Sequence, residues 1–228
     1  MKKDIIIVDN FYEDPLKVRE YALKELRENH YLPYNQPSWF STKFKNWNDC
    51  PFKSSESLIS SLNAITSEEV DLEFWRKGYP EHGSPEDLIR DNKSCKWNCT
   101  FHVKPLIGQK LGEGIHNHVT DVWNSVGDHG WVGLIYLNPN APIDTGLHLW
   151  ENKDKNKNYD WMTPGENWRI IDSLGAVFNR LILCRGERPH SGTDGFSDII
   201  EEGRLYQTFF FKTVPQSKKI YPPVSVTV

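Results

Sequence analysis

Apolar and polar positions follow two different rhythms along this chain, and the change comes near Cys95. The N-terminal part opens on a β-branched run, Ile5-Ile6-Ile7-Val8, of strand length. Asp14-Pro15 then sets a capping carboxylate before a proline at the first helical position. Leu16, Val18, Tyr21, Ala22 and Leu26 follow at helical spacing and predict an amphipathic helix running to Asn29. Residues 30–53, rich in aromatics and turn formers, predict an irregular packed segment. Ser55–Ile65 predicts a second helix with Leu58, Ile59, Leu62 and Ile65 on one face, and residues 78–94 are polar and turn-rich.

Beyond Cys95 short strand-like runs alternate with Gly, Pro and Asn: Trp97–Val103, Trp131–Leu137, Leu147–Trp150, Arg180–Leu183 and Tyr206–Thr213. Such punctuation predicts an all-β barrel or sandwich. The charged stretch Glu151–Trp168 predicts a long loop, either a lid or a solvated insertion. No internal repeat is visible. The expected organisation is one domain over residues 1–228. A helical support layer (1–94) packs on a β-core (95–214), followed by a tail (215–228).

Composition narrows the classes. With 228 residues, 38% hydrophobic and 25% charged, the chain suits one soluble domain with its own core. No apolar run approaches the roughly 20 residues of a membrane span. Only four apolar residues follow Met1-Lys2-Lys3-Asp4, short of the roughly 7–15 of a secretory signal. A formal charge of −4 argues against broad binding to nucleic-acid phosphates, which needs clustered Lys and Arg. Cys50, Cys95, Cys99 and Cys184 lack zinc-ribbon spacing and read as reduced thiols of a cytoplasmic protein, with one disulfide as the alternative.

Candidate chemistry centres on three of the eight histidines. His116 and His118 stand in Gly114-Ile115-His116-Asn117-His118-Val119-Thr120-Asp121, and His190 in Arg188-Pro189-His190-Ser191-Gly192. Residues i and i+2 of a strand share a face, so His116 and His118 can meet one ion. Imidazole with carboxylate suits Fe(II), Mn(II) or Zn(II). Asp121 is on the other parity and needs a bulge or turn to swing inward.

Taken in order, the stretches "WVGLIYLNPNAP", "NRLILCRGERPH" and "GRLYQTFFF", with the opening "IIIVDNFYEDPLKVREYAL", resemble the Fe(II)/2-oxoglutarate-dependent oxygenases, and among them the phage and bacterial prolyl-4-hydroxylase-like group. The resemblance covers most of the chain and is poor over residues 30–95. It implies a mainly β fold with N-terminal helices, a double-stranded β-helix (jelly roll, cupin-like). It also implies one Fe(II) held by two histidines and a carboxylate, with 2-oxoglutarate as co-substrate. His190 matches the late histidine ligand, Arg204 the arginine that pairs with the far carboxylate of 2-oxoglutarate, and Tyr136 a tyrosine against that same carboxylate. A small molecule or a peptide is the implied substrate, oxidised at a C–H bond with release of succinate and CO2.

The chain departs from the family pattern in having no His-x-Asp, and in carrying Leu147-His148 where relatives tend to have Gly-Thr and an aromatic. The favoured ligand set is His118, Asp121 and His190, leaving His116 behind the ligands or facing substrate. The other set is His116, His118 and His190. Asn117, Asn124 or Asp128 could orient the ligands. Two rival functions stay open: a metal- or ligand-binding β-helix domain without turnover, and a three-histidine oxygenase using no 2-oxo acid. Taken singly, each residue also has a plain reading. His190 would be a surface loop residue, Arg204 an exposed charge answering Glu201 or Glu202, and Tyr136 a core aromatic with a satisfied hydroxyl. His129 and His148 would be structural or solvent-facing, His102 directed into the barrel or to water, and Lys104 a solvated charge. Trp123 and Trp150 would be packing residues or pocket walls.

Overall fold

The computed structural model describes residues 4–28, 30–31, 40–42, 50–76, 98–119, 126–127, 129–154, 165–199 and 201–214. These residues are mostly β, with few helices, and every strand pairing is antiparallel. Strands β1 (Ile5–Val8), β2 (His30–Tyr31), β3 (Phe40–Thr42), β5 (Phe101–Lys104), β6 (Trp131–Tyr136), β9 (Leu181–Arg185) and β11 (Arg204–Phe211) form one sheet in the order β1-β9-β6-β11-β5-β3-β2. A smaller sheet has the order β10-β7-β8, from β7 (Gly146–Asn152), β8 (Trp168–Gly175) and β10 (His190–Gly192). Two short strands, β4 (Glu69–Val70) and β12 (Thr213–Val214), pair separately.

Two helices form where the sequence predicts, and a third forms without a sequence expectation. Helix α1 (Pro15–Glu28) is capped by Asp14, whose Oδ1 accepts the Lys17 amide at 3.1 Å. Helix α2 (Glu56–Thr66) is capped by Ser55, whose Oγ accepts the Leu58 amide. A third, α3 (Leu72–Arg76), brings Trp75 against Phe211. Val18, Ala22 and Leu26 of α1 and Leu58 and Leu62 of α2 cover one face of the large sheet, meeting Phe101, Val103, Ile135, Leu205, Phe209 and Phe211.

The opposite face of that sheet looks toward the small one. Tyr136, Ile182 and Tyr206 meet Leu147, Leu149 and Leu174 there. Strand β11 is therefore buried along its whole length. Its odd residues serve the helical core and its even residues, Arg204, Tyr206, Thr208 and Phe210, face the space between sheets.

Three differences from the sequence expectation have local causes. Within the stretch expected to be irregular, residues 30–31 and 40–42 extend the large sheet as β2 and β3. Strand β8 carries no strand signal in the sequence, because Arg169, Asp172 and Ser173 break any period-2 pattern; it forms as an edge strand on β7, with Ile170 and Ile171 exposed. The strand expected from Trp97 starts at Phe101, since Cys99 turns the chain with φ 62°. Cys50, Cys99 and Cys184 are buried free thiols, and Cys95 lies outside the described residues. No helix among the described residues is long and apolar enough to cross a membrane.

Candidate metal and anion site

His116 and His190 form an antiparallel backbone pair. The His116 amide donates to the His190 carbonyl at 3.0 Å, and the His190 amide returns the bond at 2.9 Å. His118, two residues on, donates its amide to Gly186 O at 2.7 Å. The three side chains consequently converge, as the i, i+2 parity predicts. Their ring centres are 4.8 Å (His116–His118), 4.6 Å (His116–His190) and 5.1 Å (His118–His190) apart, and one ligand atom from each lies within 4.8 Å of the others. His118 and His190 are buried and His116 half-buried, and the edge of Phe210 closes on His118 at 4.9 Å.

These residues fit a metal ion on two counts. An imidazole bound at about 2.1 Å puts its ring centre about 3.2 Å from the ion, so three rings at roughly 90–105° to one another lie roughly 4.5–5.1 Å apart, as observed. The second count is the state of the rings. Nδ1 of His116 is 2.7 Å from Gly114 O and Nδ1 of His190 is 2.8 Å from Arg188 O. A carbonyl only accepts, so each Nδ1 carries the proton and each Nε2 keeps its lone pair for a metal. Burial first, then His116 and His118, hold His190 well below the usual imidazole range, hence neutral as a ligand must be.

Arg204 and Tyr136 complete the arrangement. Arg204 is 4% exposed. Its Nη1 donates to Gly146 O at 2.9 Å and toward Thr193 Oγ1 at 3.4 Å, while Nε is buried with no partner among the described residues. No carboxylate among them pairs with the guanidinium. The plain reading of Arg204 as an exposed charge is thus corrected: Glu201 accepts from Arg27, and Glu202 accepts from Ser197. Tyr136, cross-strand from Tyr206, is likewise buried with an unpartnered hydroxyl among the described residues, and burial raises its pKa.

Strand β10 links the two clusters. His190 and Gly192 point inward and Ser191 outward, where its Oγ accepts from Trp150 Nε1 at 2.9 Å. A Cβ built on Gly192 would meet Arg204 Nη2 at 2.6 Å and Nη1 at 2.8 Å. The guanidinium therefore rests on the strand face that carries His190, two residues or about 6.6 Å along.

Other predicted residues fall elsewhere. His148 pairs with Ser173 Oγ at 2.9 Å on the outer face of the small sheet, and Trp150 packs there with Ile115 and Trp168. His129 is exposed and contributes its carbonyl to Arg185. His102 is fully buried between Ser41 Oγ (2.6 Å) and Thr208 Oγ1 (2.8 Å), and burial, then Arg204, push it down to about 3. Asp121, Trp123, Asn124 and Asp128 lie outside the described residues, so the favoured carboxylate ligand lies there too.

Sequence reasoning missed the residues that aim Arg204. Asn138 Oδ1 accepts the Leu205 amide at 2.6 Å, and its Nδ2 donates to Gly203 O at 3.0 Å, clamping both neighbours of the arginine. Gly146 offers its carbonyl from φ 148°, a backbone region open to glycine. The signal for Asn138 is a polar residue ending an apolar strand just before Pro139.

No protein-family model matches the chain, and no curated protein does. Among solved structures it is similar to a prolyl hydroxylase from Trichoplax adhaerens, in complex with a hypoxia inducible factor oxygen degradation domain peptide fragment. The identity is 17%, over 91% of this chain and 83% of that one, with a TM-score of 0.48. It is also similar to the Fe(II)/α-ketoglutarate-dependent dioxygenase TqaL at 15% identity, over 94% of this chain and 84% of that one, with a TM-score of 0.35. Likenesses this loose assign no activity by themselves; the functional reading rests on the chain's own residues.

Proposed function

We propose that this protein is an Fe(II)- and 2-oxoglutarate-dependent dioxygenase with a double-stranded β-helix core, hydroxylating a C–H bond of a small molecule or a peptide. The observation that carries this reading is the buried Arg204 guanidinium and the nearby Tyr136 hydroxyl, the first without a carboxylate and the second without a partner among the described residues, on the inner face where three histidines converge. A buried cation without a counter-ion is costly, so the pocket is built for an anion. Arg204 offers a forked donor to one carboxylate and Tyr136 a hydroxyl donor. About 6.6 Å along β10, His190, His118 and His116 would hold the ion that receives the other end of a short diacid. Asp121 is the alternative third ligand.

Ferrous iron bound there would supply dioxygen activation. The chemistry balances: 2-oxoglutarate loses CO2 to become succinate, one oxygen atom entering succinate and the other the new C–OH. The chain's own part is to hold the diacid in one orientation and to keep water from the reacting carbon by burial between two sheets.

Succinate formation coupled to oxygen uptake, with a weak visible charge-transfer band on anaerobic addition of Fe(II) and 2-oxoglutarate, tests this. His190→Ala should abolish both, and Arg204→Ala should chiefly weaken co-substrate binding. No band and no succinate from the wild type would leave a binding domain without turnover. His116→Ala losing iron while Asp121→Ala keeps it would establish the three-histidine set. His116 in the cluster also favours a second reading, a three-histidine oxygenase needing no 2-oxo acid; oxygen uptake would then survive omission of 2-oxoglutarate.

A further inference from the structure

The β5–β11 register sets Lys104 directly opposite Arg204. Paired residues of an antiparallel ladder project from the same face, and like charges placed there repel. The next inward pair on that face, His102 and Tyr206, is stacked at 5.2 Å, and Tyr206 pairs in turn with Tyr136. Lys104 and Arg204 thus form the cross-strand row next to the one that holds His102, Tyr206 and Tyr136. It is half-buried, and among the described residues its ammonium makes neither a hydrogen bond nor an ion pair. The charged groups facing it are Arg204 from β11, Asp194 from the turn after β10 and Glu113 from the segment after β5. Asp194 is already engaged by the Ile107, Gln109 and Gly195 amides at 3.2, 2.9 and 2.8 Å. His102, on Lys104's own strand, is neutral.

Two neighbouring cations, one of them buried and neither in an ion pair among the described residues, call for an anion between them. We propose that Lys104 is a second cationic binding residue of the anion pocket, sharing with Arg204 the distal carboxylate of a dicarboxylate co-substrate. This rests on the oxygenase reading above, and it goes beyond that reading in making the lysine's proton part of the ligand site.

Burial, then Arg204, bring Lys104 down to about 8, against the weaker opposing pull of Asp194 and Glu113. The ammonium is present below that pH and lost above it. A ligand that needs it therefore binds up to about tenfold more weakly at pH 9 than at pH 7. The test is calorimetric titration of the Mn(II)-loaded full chain with 2-oxoglutarate between pH 7 and 9. Wild type should show that fall. Lys104→Gln should bind about tenfold more weakly at pH 7 with a flat profile, while Lys104→Arg should keep the pH 7 affinity up to pH 9. Mn(II) affinity should be equal in all three, which separates a pocket effect from misfolding. Wild-type affinity and slope in Lys104→Gln would overturn the inference and leave the oxygenase reading intact. No 2-oxoglutarate binding by the wild type at any pH would sink both.

Discussion

Tyr136 carries opposite consequences for the empty and the filled pocket, and Tyr136→Phe separates them. Its hydroxyl is buried without a partner among the described residues. A buried hydroxyl left unpaired costs about 1–3 kcal/mol on protein scales. The ring itself is packed among Leu147, Leu149 and Ile182, and phenylalanine keeps every one of those contacts. Removing the oxygen should therefore stabilise the ligand-free protein by about 1–2 kcal/mol, a rise in Tm of roughly 2–8 °C for a chain of this size. The filled pocket loses a hydrogen bond to a carboxylate, worth about 1.5–3 kcal/mol, so 2-oxoglutarate should bind roughly 10–150-fold more weakly. Thermal melts with and without ligand, and titration calorimetry on the Mn(II)-loaded protein, read both effects. A ligand-free variant that melts below wild type, or one that binds 2-oxoglutarate equally well, would refute the assignment of that hydroxyl to the anion.

Two more substitutions probe the supports of the site. Gly192→Ala should fold normally, because the added methyl meets only the end of a flexible side chain, yet it displaces the Arg204 guanidinium and should lower 2-oxoglutarate affinity on the order of tenfold, one lost charge-assisted bond, by the same titration. Glu68 is bidentate to the buried Arg185, which stacks on Trp131 at 3.8 Å. Glu68→Ala removes the two-bond ion pair to that buried guanidinium and should cost about 3–5 kcal/mol by urea unfolding. Burial raises the Glu68 carboxyl, but hydrogen bonds from Arg185, Thr213 and Trp131 outweigh it and hold it at about 2, below its usual 4.5. Its stabilisation is present above about pH 4.5 and fades as pH falls toward 2, so the acid limb of a stability–pH curve should flatten in the variant.

Periodicity and order make part of this legible. The i, i+2 step joins His116 to His118, and the long apolar runs locate β6, β9 and β11. Period says nothing about a three-residue strand, so β10 reads only as a histidine after a proline. It forms because Leu147–Leu149 and His116 supply its two partners from far along the chain. Arg204, singled out by the family resemblance, reads by itself beside two glutamates as a surface charge, a plain reading that fails because Arg27 and Ser197 take those carboxylates. Lys104 ends a strand and reads as solvated; only its register against Arg204 brings two like charges together. Each plain local reading gives way to a tertiary pairing that overrides the local signal.

The alternation along β11 assigns stability and function to separate faces of one strand. Leu205, Phe209 and Phe211 are fully buried against α1, α2 and α3 and anchor the strand by apolar burial. Arg204, Tyr206 and Thr208 then occupy the other face, where a buried guanidinium with no carboxylate partner among the described residues opposes folding at a cost the first face offsets. Asn138 fixes the strand's entry and Glu68 with Arg185 fixes the base of β9, neither touching the histidines. A polar interior retained at that cost makes sense if a ligand relieves it on binding. On the proposed function, the buried groups that oppose folding, Arg204 and Tyr136, are the ones that would become favourable once a carboxylate sat between them.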